Sequence, residues 1–157
     1  MAFVEKSVEV NVPIRTAYNQ WTQFEEFPRF MEGVEEVKQV SDTMTHWKAS
    51  IAGKKEEWDA QITEQEPDRV VAWQSLSGAE NSGKVTFAAK GADRTEVTVR
   101  IGYEPEGVVE SVGDKLGFVD RRVQGDLDRF KTFIEERGVA TGAWRGEIQG
   151  GQVESAV

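Results

Sequence analysis

The sequence predicts an α+β domain in which a curved, seven-stranded antiparallel sheet wraps around one long C-terminal helix. Three observations carry that prediction. Apolar and polar residues alternate in a series of short segments separated by turns rich in Gly, Pro and Asp. From Val34 onward these segments leave no room for crossover helices, so neighbours must pair antiparallel. A final stretch changes period, with apolar residues at steps of three and four.

The elements follow in order. In SVEVNV, Val8, Val10 and Val12 alternate with polar residues, which is the pattern of a half-buried strand. Pro13 ends that strand and suits the first turn of a helix, in which Ala17, Tyr18 and Trp21 fall at helical spacing. FEEFPRFMEG, dense in aromatics and broken by Pro28 and Gly33, predicts a second short helical turn over one end of the sheet. Val34, Val37 and Val40 mark a short, irregular strand ending at Ser41-Asp42. Trp47, Ala49 and Ile51 share one face of the next, and Trp58, Ala60 and Ile62 one face of the strand after Gly53. Val71, Trp73 and Ser75 follow, then a Gly-rich turn from Ser77 to Gly83. Val85, Phe87 and Ala89 form another strand, and Val97, Val99, Ile101 and Tyr103 the last.

Val112, Leu116, Val119, Val123, Leu127, Phe130 and Ile134 then make one apolar stripe of a long helix, with Gly138 as its C-terminal cap. Residues 1–138 form one domain on this reading. Residues 139–157 are Gly-rich and without period, and are expected to be a mobile tail or one draped on the surface. The concave face of seven curved strands is wider than one helix covers. The arrangement is a helix-grip fold, and a cavity is expected between sheet and helix.

Composition bounds the function. The chain has 157 residues, 38% hydrophobic and 30% charged, which suits a single globular domain. A net charge of −9 repels phosphate backbones and anionic lipid, so no nucleic-acid partner is expected. The absence of cysteine excludes disulfides, thiolate chemistry and Cys-ligated metals, and a lone histidine, His46, excludes a His-rich metal site. No metal and no cofactor are expected. The N-terminus lacks a signal-peptide pattern and no apolar run is long enough to span a bilayer, so a cytoplasmic location is the default expectation. The oligomeric state stays open.

Parity nominates the ligand-binding residues. Trp47, Trp58 and Trp73 share the inward face with small neighbours such as Ala49, Ala60 and Ala89, and Phe87, Ser75 and Tyr103 join them. Any one Trp is as well explained as core filling. Three on one concave face, beside residues that leave space, point to a ligand wall. Gly113, Leu116 and Gly117 in the first half of the long helix would face that wall, the glycines costing helix stability but opening room, although close packing of helix on sheet explains them equally well. His46 has outward parity and is expected to be exposed and inert unless a bulge turns its strand. Arg100 is likewise outward. Ser75 has no histidine on its face, so no triad forms. Glu35-Glu36 and Glu56-Glu57 point to opposite faces and cannot act as tight dyads. No residue is assigned a catalytic role.

The order of elements, with the segments PIRTAYNQWTQFEEFPRFMEGVEEVKQV, VVAWQSLSGAENSGKVTF and TEVTVRIGYEPEG before the long helix, resembles the SRPBCC superfamily, also called START or Bet v 1-like. Within it the chain looks most like the bacterial polyketide cyclase/dehydrase and lipid-transport group, over about residues 3–138. That resemblance implies a cavity for a hydrophobic, polyketide-, isoprenoid- or lipid-like molecule. It is compatible with a carrier and with an enzyme of cyclisation, aromatisation or dehydration. No catalytic position of the family is matched residue by residue.

Overall fold

Period-two burial in the strands and period-3.6 burial in the helix build two layers here. The computed structural model describes residues 2–51, 53–78, 81–103 and 109–153, with backbone alone for residues 2, 51, 78, 103 and 109–118. The elements are β1 (Ala2–Val10), α1 (Ile14–Trp21), a 3-10 helix (Phe24–Arg29), β2 (Val34–Gln39), β3 (Met44–Ile51), β4 (Lys54–Glu66), β5 (Val70–Gly78), β6 (Asn81–Gly91), β7 (Arg94–Tyr103), α2 (Val109–Arg137), β8 (Ile148–Gln149) and β9 (Gln152–Val153). The main path of the sheet runs β1-β7-β6-β5-β4-β3-β2, and every described pairing is antiparallel. Consecutive hairpins account for β2 through β7, and β1 closes the far edge by pairing with β7.

The layers meet along the stripe of α2. Val123, Leu127, Phe130 and Ile134 are buried and Val119 packs partly against the core. The side chains of Val112 and Leu116, also expected on that stripe, lie outside the described residues. The end of α2 is tied to β1: Lys131 Nζ donates to the Glu9 carbonyl at 2.9 Å and the Asn11 N–H donates to Glu135 at 2.7 Å. Gly138 takes φ +72° and its N–H bonds the Ile134 carbonyl at 2.8 Å, which is the left-handed cap expected from its position. At the other end of the chain Pro13 precedes α1, its carbonyl accepting the Ala17 N–H at 3.1 Å.

The structure differs from the sequence expectation at three places. β2 ends at Gln39, and Val40 is 66% exposed, because a step of three from buried Val37 lands on the opposite side of an extended chain. Gly83 lies within β6, opposite Trp73, and not in the turn. The tail is not loose between 141 and 153. Buried Gln20 exchanges two 2.9 Å hydrogen bonds with Thr141, and the Trp144 N–H donates to Thr22 Oγ1 at 3.1 Å. Arg145 pairs with Asp68 at 2.9 Å, and fully buried Ile148 enters β8, which pairs with β4 at Glu64 and Gln65. These anchors are single residues on an irregular path, so no period in the sequence announces them.

Candidate functional site

Trp47, Trp58 and Trp73 stand on the adjacent strands β3, β4 and β5 and are 3%, 6% and 4% exposed. Register puts Trp47 directly across from Trp58. Their rings stack at 5.7 Å and 15°, and Trp47 stacks on Trp73 at 5.6 Å and 25°. The result is a continuous indole wall on the concave face, with Ala49 and Ala60 buried beside it. Gly83 makes the wall possible. A Cβ there would meet Trp73 Cζ2 at 2.3 Å, inside any real contact distance.

The two ends of this wall have different surroundings. The 3-10 helix covers one end: Phe24 meets Trp73 edge-on at 6.0 Å, and Phe27 lies 5.7 Å from Trp47 and 6.1 Å from Trp73. Phe27 also contacts Trp21, which touches Phe30 and Phe130, so that end is filled with aromatic rings. At the other end, among the described residues, the Trp58 ring is in aromatic contact with Trp47 alone.

Polar satisfaction separates the tryptophans further. Trp47 Nε1 donates to Thr45 Oγ1 at 2.8 Å, and that hydroxyl donates on to the Ala60 carbonyl at 3.4 Å. Thr45 was missed in the sequence, although its inward parity with Trp47 was there to be read. Among the described residues, Trp58 Nε1 is buried without a hydrogen-bond partner. Trp21 Nε1 shares that state but is enclosed by phenylalanines. Tyr18 is wedged between Phe87 at 5.4 Å and the Arg145 guanidinium at 5.4 Å, and burial pushes its pKa up to about 12.

The remaining nominated residues divide. Phe87 is inward and 7% exposed, but its ring partner is Tyr18 of α1 and not the indole wall. Ser75 sits opposite Ala60, half-buried, with its hydroxyl accepting the Asn81 N–H at 3.0 Å across the β5–β6 turn. Ala89 is exposed, beside a register shift at the end of β6, and takes no part in the wall. For Tyr103, Gly113, Leu116 and Gly117 the structure describes the backbone alone, so their part in the wall lies outside the described residues.

His46 faces outward, since β3 pairs with β4 without a break from Met44 to Ile51. It is nevertheless held. Nδ1 lies 2.5 Å from Asp59 Oδ1 and Nε2 lies 2.6 Å from Glu57 Oε1. The Asp59 hydrogen bond, then the Glu57 one, raises the His46 pKa, and His46 in turn lowers that of Asp59. Among the described residues no group of three or more His, Asp or Glu side chains is placed to hold a metal ion, and no helix is long and apolar enough to cross a membrane.

A last polar cluster clasps α2 to the loop before β2. Arg129 Nε donates to the Phe30 carbonyl at 3.0 Å, Arg122 to the Glu32 carbonyl, and Asp126 accepts the Glu32 N–H at 3.1 Å. Burial pushes the Asp126 carboxyl up to about 6, against the opposing pull of Arg129. Gly33, at φ +91°, leaves the space that the Arg122 guanidinium fills. The cluster is structural in its contacts and stands away from the indole wall.

Comparison with known proteins agrees with this architecture. A START superfamily protein from Mycobacterium smegmatis superposes with a TM-score of 0.74 at 12% identity, over 86% of this chain and 98% of that one. The Zhui aromatase/cyclase from Streptomyces sp. R1128 gives 0.72 at 16% identity, over 91% and 99%. Both likenesses are of fold. An uncharacterised 17.2 kDa protein of Streptomyces lincolnensis, encoded in the melC2-rnhH intergenic region, is 56% identical over 149 residues, 94% of this chain and 99% of its own length. Residues 10–132 match the family described as polyketide cyclase / dehydrase and lipid transport, and the chain belongs to that family.

Proposed function

We propose that the chain binds a neutral, largely apolar small molecule, polyketide-, isoprenoid- or lipid-like, against the indole wall, with Trp58 Nε1 donating a hydrogen bond to one of its oxygens. The observation that carries this reading is the buried Trp58 N–H, unpartnered among the described residues, in a wall whose other half is closely packed. Such a donor costs about 1–3 kcal/mol when left unmade, and a ligand acceptor offsets that cost. The wall offers stacking area and no charge, so it suits a flat or chain-like neutral molecule.

Binding ranks above catalysis of cyclisation, aromatisation or dehydration for a stated reason. Among the described residues, the two buried groups with strongly displaced proton affinity are engaged elsewhere, Tyr18 against Phe87 and Arg145, and Asp126 in the α2 clasp.

The test uses a naphthyl ketone and the matching alkylnaphthalene as fluorescent probes of the full chain. Trp58→Phe is expected to weaken the ketone about tenfold, one charge-neutral hydrogen bond in a dry site, and to leave the hydrocarbon nearly unchanged. Equal weakening of both probes, or of neither, overturns the assigned donor. Failure of both to bind the wild-type chain overturns the pocket itself.

A further inference from the structure

The outer face of the sheet carries a second hollow. It measures about 300 Å³ and its side-chain rim is Phe3, Gln74, Ser82, Lys84 and Arg100, with Thr63, Glu64, Ala72, Trp73 and Gly83 also bordering it. Register explains it. One outward row across the sheet reads Glu5, Arg100, Lys84, Ala72, Glu64, and the next reads Phe3, Gly102, Ser82, Gln74, Gln61. Ala72, Ser82 and Gly102 are small, so the rows sink between the long side chains of Phe3, Arg100, Lys84 and Gln74.

The charges in this hollow are unusual for the molecule. Lys84 and Arg100 are paired directly across β6 and β7, a like-charge juxtaposition that destabilises a sheet, in a chain of net charge −9. Their acidic neighbours compensate them loosely. Arg100 lies 3.7 Å from Glu5 and Lys84 lies 4.0 Å from Glu64, whose other oxygen is already bonded to Arg69 at 2.9 Å. The Arg100 guanidinium stacks over the half-exposed Phe3 ring at 4.3 Å, which fixes its plane. Gln74 and Ser82 add an amide and a hydroxyl at the rim.

We propose that this hollow is a binding site for small aromatic carboxylates. The carboxylate sits between Arg100 and Lys84, which relieves their mutual repulsion, and the ring lies beside Phe3 over Ala72. A guanidinium and an ammonium side by side recognise a planar anion, the first through paired N–H groups and the second as a point charge. The aromatic flank selects a ring-bearing anion over a bare one. The inference does not rest on the ligand proposed for the grip.

The experiment is an amide NMR titration of the full chain with salicylate, with benzyl alcohol and acetate as controls. Saturable shifts are expected at the amides of Ala72, Gln74, Lys84 and Arg100, with salicylate stronger than acetate and benzyl alcohol silent there. Arg100→Gln and Lys84→Gln should each weaken salicylate about fivefold, the loss of one partly solvated charged contact. Trp58→Phe should leave salicylate unaffected. Shifts that centre on Trp47, Trp58 and Ala60 place salicylate inside the grip and overturn the outer site. Shifts of equal size with acetate, or unchanged in the Arg100→Gln/Lys84→Gln double variant, overturn it as well.

Discussion

On the concave face of β3 and β4, Trp47 and Trp58 stack with the alanines beside them, and one of the two indole N–H groups has no partner among the described residues. One residue away along the same strands, His46, Glu57 and Asp59 stand on the convex face, and each has a charged or hydrogen-bonding partner. Parity alone separates the two environments. Inside, ring area and fit carry the stability, and an unmet polar group stands out because water cannot reach it. Outside, every charge can be solvated, so a contact there is worth little and its loss is tolerated. An unsatisfied group on the concave face is therefore informative about ligands in a way that a single solvated ion pair such as His46–Asp59 is not.

The largest expected contrast is between two phenylalanines. Phe27 is fully buried against Trp21, Trp47 and Trp73, whereas Phe3 is 49% exposed. Phe27→Ala should lose about 3–5 kcal/mol of unfolding free energy in urea denaturation, and Phe3→Ala less than about 1 kcal/mol. Comparable losses would erase the distinction between the faces.

Two glycines on β6 sharpen it. Gly83→Ala forces a methyl into the Trp73 ring and is expected to cost about 1–3 kcal/mol. Gly91→Ala meets nothing within 4 Å and should stay within about 0.5 kcal/mol of the wild type. Thermal melts of the pair decide whether the indole wall has slack.

The two stacked tryptophans test polar satisfaction. Trp47→Phe and Trp58→Phe remove the same ring area, but only the first breaks a made hydrogen bond, to Thr45. Trp47→Phe should be the more destabilising by about 1 kcal/mol in the ligand-free protein. The reverse order would mean that Trp58 Nε1 is satisfied in solution.

The smallest effect belongs to His46. Its pKa is raised in the folded chain, so the stabilisation it brings is fully present below its ordinary value of 6.5 and fades as pH rises through the higher folded value. Asp59 is held low, so its share is present above 3.8 and is lost as pH falls through its folded value. The stability difference between wild type and His46→Gln should be widest between those two ordinary values and shrink toward alkaline pH. Because the pair is largely solvated, the whole effect should be modest and reduced by salt. A pH-independent difference would place the role of His46 in packing.

Much of this was legible before any coordinates. The inward set of Trp47, Trp58 and Trp73, the outward set of His46 and Arg100, the buried stripe of α2 from Val123 to Ile134 and the Gly138 cap all follow from local periods. Val40 was not, since its step of three from buried Val37 is outward on a strand, nor was Ala89, which lies beside a register shift. The docking of Gln20 on Thr141 and of Ile148 beside Gln65 of β4 was also hidden, because partners 121 and 83 residues apart leave no local pattern.

By itself the sequence determined the number of main strands, which face of each carries the rings, and the sign of the surface charge. These are properties of a residue and its near neighbours, and the pleat and the helical turn read them directly. Only the tertiary structure decided that Trp47 finds Thr45 while Trp58 finds no partner among the described residues, that Gly83 must yield to Trp73, and that Lys84 and Arg100 stand face to face beside Ala72. Each depends on the register between strands and on which side chain arrives across it. That is a global property, since a shift of one residue anywhere along the pairing would exchange every partner.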